Sequence, residues 1–286
     1  MEFWKLQASG NDFILIENEK SRIKNERLKK IAKKYCQRKF AVGADGLLVI
    51  EPSRVRGADF KMRIFNSDGS EPAMCGNGAR CVAFWKKLKI KNKKIKTIKF
   101  ETKAGLIEAV VAAPVQGRAN VKIKVSDVFG MKLDKEIEIF ARKIKVNFIN
   151  SGVPHAIVFV QGLDDIDIEK IGRQIRYHKE FLPAGTNVNF VQVIKDNLIK
   201  IRTYERGVEA ETLACGTGAV ASSIISKYKL LGKEIFGDKK PQKYKMDVST
   251  KSGQVLGVYF GSKDNKISDV WLEGRAYLVY QGKIAM

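Results

Sequence analysis

Short runs of β-branched and aromatic residues recur along the chain, and several of them alternate apolar with polar positions. That alternation has the period of a half-buried β-strand. The predicted strands cover Phe13–Glu17, Leu47–Glu51, Phe60–Phe65, Val121–Val125, Ile144–Ile149, Ala156–Val160, Val188–Val193, Ile199–Tyr204 and Val255–Phe260. Met1–Leu6 also has the pattern of a strand and lacks the layout of a secretion signal. No apolar run approaches the roughly 20 residues that span a bilayer, so we expect a cytoplasmic protein with no membrane partner.

Fewer segments have the period of an α-helix. The clearest is Glu26–Cys36, whose apolar residues recur at i, i+3, i+4, i+7 and i+8 and so form one face. Cys36 lies on that face, and we expect it in the core. A second amphipathic stretch, Ile168–Tyr177, ends at His178, which we expect on the surface.

The two halves of the sequence repeat the same series of short motifs. Four motifs of the first half reappear in the same order in the second, at offsets of 142, 141, 139 and 140 residues. The pairs are Ser9–Phe13 with Ser151–His155, Phe40–Ile50 with Phe181–Val191, Met62–Asn66 with Ile201–Glu205, and Met74–Gly78 with Ala214–Gly218. Such a series indicates an internal duplication with a long period. We expect the boundary near Ala113–Gly117, with residues 1–115 plus about 268–286 forming the first half and 116–267 the second.

The chain is strongly basic, yet its lysines are arranged as on ordinary solvated surfaces. Hydrophobic residues make up 44% of the 286 residues, which is ample for packed cores, and the formal net charge is +22. The densest run, Lys86–Lys99, alternates eight lysines with leucine and isoleucine. Nucleic-acid surfaces usually mix arginine and aromatic residues with lysine. We therefore expect no nucleic-acid partner; a basic nucleic-acid-binding protein is the non-enzymatic alternative, which salt-dependent retention on DNA or RNA would reveal.

The four cysteines are Cys36, Cys75, Cys81 and Cys215. They do not form the pattern of a disulfide framework. They also lack the spacing of a zinc site, because the closest pair is six residues apart with no Cys-x-x-Cys nearby, and we expect no metal. Each is therefore either a small buried residue or a reactive thiol. Cys81 falls on the apolar side of a helical pattern, and we expect it to be structural.

Cys75 and Cys215 each follow a strand and a polar turn, begin a Cys-Gly-x-Gly sequence, and precede a helical pattern. At a helix N-terminus, the partial positive charge and unbonded N–H groups favour a thiolate over a thiol, whose usual pKa is about 8.5. The glycines let a ligand approach the backbone, and the same N–H groups can bind a carboxylate. Two such helix ends predict a thiol–thiolate pair, in which one sulfur removes an α-proton and the other donates a proton to the opposite face.

Several motifs together resemble those of the diaminopimelate epimerase family. They are Ser9–Phe13, Gly43–Gly46, Phe65–Glu71, Met74–Cys81, Gly185–Phe190, Glu205–Gly207 and Glu211–Gly218. The resemblance implies an enzyme that needs no pyridoxal phosphate or other cofactor and converts LL- to meso-diaminopimelate, in lysine and peptidoglycan synthesis. It also implies a homodimer of the α/β (α+β) class with two pseudo-symmetric duplicated domains. Each domain would be a strongly curved, mostly antiparallel sheet or barrel around a central helix, with the active site in the cleft between the domains.

The resemblance also implies roles for individual residues. Cys75 and Cys215 match the family's catalytic pair. The matching substrate-binding residues are Asn11, Asn66, Gly76, Asn77, His155, Asn187, Glu205, Arg206, Gly216 and Thr217. The residues expected to hold the reacting α-carboxylate are those at the helix ends, Gly76, Asn77, Gly216 and Thr217. The amino and carboxylate groups, largely at the distal centre, would be bound by Asn11, Asn66, Asn187 and Arg206. His155 and Glu205 match a polar pair near the reacting amine and the thiols.

Three features depart from the family pattern. Val153 stands where many members have asparagine, and Gly46 stands where some have glutamine, so two possible polar contacts with substrate are absent. The segment from Glu205 to Cys215 is ten residues long against nine from Asn66 to Cys75, which predicts a longer turn in the second half. None of these departures removes a catalytic group.

Two other enzyme classes share the expected chemistry or fold. A proline or hydroxyproline racemase would use the same thiol pair, but its cyclic substrate has no distal amino-acid group for the asparagines and Arg206 to bind. A related isomerase that uses a carboxylate would not need both cysteines. A pyridoxal phosphate enzyme is disfavoured because no lysine lies in a recognisable Schiff-base context.

Overall fold

The computed structural model describes residues 1–18, 22–90, 92, 94–232, 240–264 and 266–284. The chain divides into two compact units, Met1–Lys124 with Glu273–Met286, and Val125–Leu272. We call them unit 1 and unit 2. No helix in the described ranges has the length and apolar character needed to cross a membrane.

Within the described ranges, each unit combines many strands with two α-helices. Unit 1 contains β1 (Glu2–Ala8), β2 (Asn11–Glu17), α1 (Asn25–Tyr35), β3 (Gly46–Glu51), β4 (Phe60–Asn66), α2 (Gly76–Lys89), β5 (Thr97–Thr102), β6 (Gly105–Val111) and β7 (Arg118–Lys124). Unit 2 contains β8 (Phe129–Ile139), β9 (Arg142–Asn150), β10 (Pro154–Phe159), α3 (Ile168–Arg176), β11 (Asn187–Lys195), β12 (Leu198–Glu205), β13 (Ala210–Thr212), α4 (Gly216–Leu231), β14 (Gln242–Ser249) and β15 (Val255–Lys263). The last strand, β16 (Lys266–Lys283), begins in unit 2 and ends in unit 1.

The sheet of unit 1 closes into a barrel around α2. Its strands follow the order β1–β2–β3–β4–β5–β6–β7–β16, and β16 pairs with β1. Helix α2 contacts strands on several sides, and every residue from Asn77 to Trp85 is buried. A helix that is buried all round is the core of its domain rather than a surface element. Helix α1 instead packs one apolar face on the outside of β3 and β4, where Leu28 and Ile31 join the core with Val49 and Phe65.

The sheet of unit 2 is arranged around α4 in the same manner. Its strand order is β16–β15–β14–β12–β11–β10–β9–β8, with β13 added to β12. Helix α4 contacts β9, β10, β11, β12, β14 and β15, while α3 packs on β11 and β12. Gly172 of α3 allows this close packing, because a Cβ there would lie 2.6 Å from the Cβ of Tyr204.

The pairing registers confirm the duplication that the sequence predicts. In unit 1, β2 and β3 are parallel with Phe13 opposite Gly46; in unit 2, β10 and β11 are parallel with His155 opposite Asn187. These two pairs are related by the offsets of 142 and 141 residues. A helix connects each parallel pair, and the next antiparallel pair leads in both units to the Cys-Gly-x-Gly turn and the central helix. The expected α+β class with a duplicated fold is therefore correct.

Strand prediction failed where lysine and glutamate occupy the outward positions of a strand. β5, β8 and β14 follow this pattern, and the sequence analysis did not identify them. It also missed β6, whose less buried positions include Leu106 and Val110 as well as Glu108. Most described lysines of the run Lys86–Lys99 are solvated, but Lys87 is buried and its Nζ donates to the carbonyl oxygen of Ile95. Lys91 and Lys93 lie outside the described residues.

Candidate active site

Cys75 is the N-cap residue of α2. Its backbone is extended (φ −140°, ψ 122°), and its carbonyl oxygen accepts the first helical hydrogen bond from Ala79 N–H at 2.8 Å. The N–H groups of the first helical turn, which begins at Gly76 and Asn77, have no acceptor within the helix. The side chain of Cys75 is half-buried. A partly accessible sulfur therefore stands beside unpaired backbone donors and the positive end of the helix dipole.

Cys215 is the N-cap residue of α4, and its sulfur caps the helix directly. Its backbone is also extended (φ −112°, ψ 113°), and Sγ accepts a hydrogen bond from Gly218 N–H at 3.4 Å. A Cβ at Gly218 would lie 2.3 Å from Asn189 Oδ1 and 3.3 Å from Cys215 Sγ. The second glycine of the Cys-Gly-x-Gly turn is therefore required by the space around the sulfur and Asn189.

A chain of polar groups leads from Asn189 to the sulfur of Cys215. Asn189 Nδ2 lies 3.3 Å from the carbonyl oxygen of Ala156, which can only accept, so the amide nitrogen faces that way. The same Nδ2 donates to His155 Nδ1 at 2.9 Å. Nδ1 is thus unprotonated, and Nε2–H donates to Thr217 Oγ1 at 2.9 Å. The Thr217 hydroxyl, having accepted from His155, can donate its own proton to Cys215 Sγ at 3.5 Å.

His155 is neutral in this chain of hydrogen bonds. It is fully buried, and burial together with the positive charge of Arg206 lowers its pKa to about 3. The hydrogen bond with Asn189 opposes the shift only in part. A permanently neutral imidazole cannot act as an acid near pH 7, but it fixes the direction of every hydrogen bond up to the sulfur.

Each unit fastens the turn before its cysteine with the same arginine–glutamate pair. Arg63 of β4 binds Glu71 through two parallel bonds of 2.8 and 3.0 Å, and Arg202 of β12 binds Glu211 through bonds of 2.7 and 2.9 Å. A lysine reaches each carboxylate as well. Each glutamate precedes its cysteine by four residues. Bidentate pairs of this kind fix orientation as well as distance, so they hold the two turns in place.

Further polar residues lie around His155, which pairs with Asn187 across two strands and feels the charge of Arg206. Asn187, buried on β11, donates to the carbonyl oxygen of Pro154 at 3.1 Å and accepts from Arg206 N–H at 2.8 Å. The guanidinium of Arg206 donates to the carbonyl oxygen of Ala184 at 3.1 Å and is half-buried. Burial raises the pKa of the Glu205 carboxyl above its ordinary value. Through these two hydrogen bonds, Asn187 holds the backbone at Pro154 and at Arg206, the residue that follows Glu205.

Unit 1 contributes a second set of polar groups. Asn11 has a side-chain oxygen that is shielded from solvent and accepts no hydrogen bond within the described residues. Asn66 is exposed and donates from Nδ2 to Ser70 Oγ at 2.9 Å. The side-chain oxygen of Asn77 accepts from the buried Arg80. At Gly46, a Cβ would lie 2.7 Å from the carbonyl oxygen of Phe65, so this backbone suits glycine.

The other two cysteines lie in the protein interior. Cys36 and Cys81 are buried, and none of the four cysteines takes part in a disulfide. Burial raises the pKa of Cys36 to about 12 and that of Cys81 further still. These thiols therefore remain protonated. No cluster of three or more metal-ligating side chains occurs in the ranges that the structure describes.

The sequence-predicted residues fall into one group in each unit. In unit 1 they are Asn11, Asn66, Cys75, Gly76 and Asn77; in unit 2 they are His155, Asn187, Glu205, Arg206, Cys215, Gly216 and Thr217. Within unit 2, direct contacts join His155, Thr217 and Cys215. The roles of all these residues in binding substrate remain predictions. Sequence analysis did not identify Asn189 or Arg80 as site residues, although each is a polar residue flanked by apolar ones in a run it had already marked.

Comparisons with known proteins agree with this arrangement. A sequence model described as diaminopimelate epimerase matches residues 3–124 and 147–268. The diaminopimelate epimerase of Aquifex aeolicus is 43% identical over 292 residues, covering 100% of this chain and 98% of that protein. That of Archaeoglobus fulgidus is 42% identical over 265 residues, covering 88% of this chain and 86% of that protein.

Solved structures of lower identity share the fold. A phenazine biosynthesis protein from Bacillus anthracis superposes with a TM-score of 0.73 at 16% identity, covering 100% of this chain and 99% of that one. A hydroxyproline epimerase from Agrobacterium vitis gives a TM-score of 0.66 at 17% identity, covering 99% and 91%. At such identities the likeness concerns the fold alone. The match of the family model to both halves, together with relatives above 40% identity, establishes that this chain belongs to the diaminopimelate epimerase family.

Proposed function

We propose that this protein converts LL-2,6-diaminopimelate into meso-diaminopimelate by two-base proton transfer, with Cys75 and Cys215 as the acid–base pair. The observation that carries the proposal is that each unit places a cysteine at the N-cap of its glycine-rich central helix. The two buried cysteines, Cys36 and Cys81, serve as a contrast because burial outweighs the nearby positive charges and keeps both thiols protonated. The names of the relatives supply the substrate.

The proposed reaction needs no cofactor. A thiolate at one helix end removes the α-proton, and the thiol at the other donates a proton to the opposite face of the carbon. Negative charge then develops on the α-carboxylate. Backbone N–H groups at Gly76 and Asn77, and at Gly216 and Thr217, are donors of the kind that stabilise such charge.

The groups around Cys215 tune its reactivity without exchanging protons with substrate. Neutral His155 directs the Thr217 hydroxyl to donate toward the sulfur. Donation of a hydrogen bond to the charged form favours that form. Burial raises the pKa of the Glu205 carboxyl. In this proposal Glu205, like His155, lies near the reacting amine of the substrate.

The remaining polar residues are proposed to bind the distal amino-acid group of the substrate. The unpaired oxygen of Asn11 is an acceptor for an ammonium group. Arg206 is a donor for a carboxylate, and Asn66 and Asn187 complete the set. A substrate with one amino-acid centre would leave these groups unpaired, which is the physical basis of selectivity for a substrate with two.

Two further properties are proposed from the resemblance of the sequence to its family: a homodimer and a cytoplasmic location. Sedimentation equilibrium at several protein concentrations tests the first. A monomer at micromolar concentration with full activity would refute the dimer without affecting the catalytic proposal.

The decisive experiment follows α-proton exchange of LL- and meso-diaminopimelate in deuterated water, with reduced enzyme and no added cofactor. Wild-type enzyme should epimerise both and incorporate deuterium, and Cys75→Ala and Cys215→Ala should lose epimerisation. Cys36→Ala is the matched control, because it removes a buried thiol that the mechanism does not use. Failure of the wild type to turn over either isomer would refute the substrate assignment. Full activity of either active-site variant would refute the two-thiol mechanism.

A further inference from the structure

Arg80 is a buried cation that has no acidic partner within the described part of the chain. Its side chain is fully buried within α2, and one nitrogen, Nη2, donates to Asn77 Oδ1 and, at 3.1 Å, to Ser9 Oγ. Its other two nitrogens, Nε and Nη1, are buried and have no hydrogen-bond partner within the described residues. Among the residues that the structure describes, Cys81 and Cys75 are the groups whose negative forms act on the guanidinium, and no aspartate or glutamate does so.

Such an arrangement is unfavourable unless a negative charge compensates it. Burying a cation that has no compensating negative charge is strongly unfavourable, even after the surroundings relax. The hydrogen bond to Asn77 places the guanidinium at the first turn of α2, where the helix dipole is positive and repels a cation. A nearby anion would stabilise a buried guanidinium at this position, and no carboxylate of the described ranges acts on it.

The charged and titratable groups nearby leave one candidate for that anion. Asp12, a carboxylate whose charge acts on the neighbouring Cys81, is already paired with Lys5 and Arg38. Burial raises the pKa of Cys81 and keeps it a neutral thiol. Cys75 remains: it is half-buried, it caps the helix whose first turn Arg80 contacts, and its negative form interacts favourably with the guanidinium.

The second unit has no counterpart of Arg80. At the offset of 140 residues, Val220 takes its place and is buried among apolar residues, and Thr217 takes the place of Asn77. There, the sulfur of Cys215 receives hydrogen bonds directly from Gly218 N–H and the Thr217 hydroxyl. By contrast, the sulfur of Cys75 does not cap its helix. The two units thus differ in the residues that accompany the N-cap cysteine at this position of the fold.

We propose that Arg80 is a positioning residue of the first helix end, which holds Asn77 beside Ser9 and supplies the positive charge that favours the thiolate form of Cys75. The inference rests on the acid–base role proposed for Cys75. It adds a residue that acts through the sulfur and not through substrate.

The test compares Arg80→Gln with Arg80→Lys. Glutamine removes the charge but keeps a donor for Asn77 and Ser9, whereas lysine keeps the charge. Each enzyme is alkylated with iodoacetamide without substrate, from about pH 5 to about pH 10, because only the thiolate reacts. Mass spectrometry of the peptides gives the rates at Cys75 and Cys215 separately. In Arg80→Gln we expect the midpoint at Cys75 to rise by about one pH unit, which means about tenfold slower alkylation near neutral pH. The midpoint at Cys215 should stay in place, and Arg80→Lys should keep the wild-type midpoint at Cys75.

Several results would overturn the role of Arg80. They are an unchanged Cys75 midpoint in folded Arg80→Gln, an equal shift at both cysteines, or a shift in Arg80→Lys as large as that in Arg80→Gln. If the glutamine variant does not fold, Arg80→Met replaces it, because methionine is neutral and leaves no buried polar group of its own unpaired. Epimerisation is measured in parallel. If the wild type is active and the Cys75 midpoint does not move in the variant, the role of Arg80 alone is refuted. If the wild type is inactive and the expected shift occurs, only the proposed function is refuted.

Discussion

The hydroxyl of Thr217 can be removed with little change in shape, and its loss tests how the surroundings of Cys215 work. In Thr217→Val, a methyl group replaces the hydroxyl that lies 2.9 Å from His155 Nε2 and 3.5 Å from Cys215 Sγ. The backbone N–H groups at the start of α4 are retained. Any effect must therefore come from the side-chain hydrogen bonds.

Two magnitudes follow from these contacts. A hydrogen bond to a charged acceptor contributes about 1.5 kcal/mol at the lower end of its range, and the long contact to Cys215 Sγ belongs there. Since about 1.4 kcal/mol corresponds to one pH unit, the alkylation midpoint of Cys215 should rise by about one unit. Separately, His155 Nε2–H would be buried without an acceptor, which costs about 1–3 kcal/mol of the free energy of unfolding.

The assay measures the pH dependence of alkylation at Cys215, with Cys75 in the same protein as the internal control. Thr217→Ser is the matched variant, because it keeps the hydroxyl and loses only the methyl group. Urea denaturation then gives the change in the free energy of unfolding. If the valine and serine variants share one Cys215 midpoint, the hydroxyl does not donate to the sulfur and the chain of hydrogen bonds from His155 is misassigned.

Three further predictions concern the same half of the molecule. Burial alone would raise the pKa of Glu211, but the hydrogen bonds from Arg202 and a lysine outweigh it and lower that pKa. Glu211→Gln should therefore lose stability above pH 4, and it should lower kcat because the cysteine turn is displaced. Unchanged stability in urea denaturation at pH 7 would contradict this. Gly218→Ala should destabilise the fold by about 1–3 kcal/mol, because the added Cβ would meet Asn189 Oδ1 at 2.3 Å; an unchanged urea midpoint would show that the turn can relax. Since the pKa of His155 falls to about 3 on folding, the unfolded chain binds a proton below about pH 6.5 that the native protein does not. The stability linked to neutral His155 is thus complete above pH 6.5, and below that pH the free energy of unfolding declines by at most about 1.4 kcal/mol per pH unit. Nitrogen NMR that shows an imidazolium at pH 5 would refute this.

Much of the fold follows from the sequence because it can be read from two signals, the local period of apolar residues and the internal repeat. The helix predicted at Glu26–Cys36 occurs at Asn25–Tyr35, and every predicted strand has a counterpart. The repeat also predicted that both cysteine turns begin helices, as Cys75 and Cys215 do. Strands were missed where lysine and glutamate replace the outward-facing apolar or hydroxyl residues that mark a strand.

The supporting residues of the site were not predictable, since their burial depends on long-range pairing. Arg80 is adjacent to Cys81, so a helix with one apolar face would bury one and expose the other. Both are fully buried because the strands of the barrel surround α2 on all sides. Asn189, between two apolar strand residues, has the pattern of a half-exposed position. It is buried because α4 covers that face of β11.

The difference between the two helix ends follows from the proposed chemistry. A two-base epimerase begins from one protonation state of its thiol pair with the LL substrate and from the opposite state with the meso substrate. Each sulfur must therefore be able to exist as a thiolate while the other is a thiol. A common backbone supplies the N-cap position and the helix dipole to both. What differs is the second contribution, a buried charge at Arg80 in one unit and hydrogen bonds from Thr217 and Gly218 in the other. Because the two contributions come from different residues, each thiolate can be tuned by substitution without altering the other.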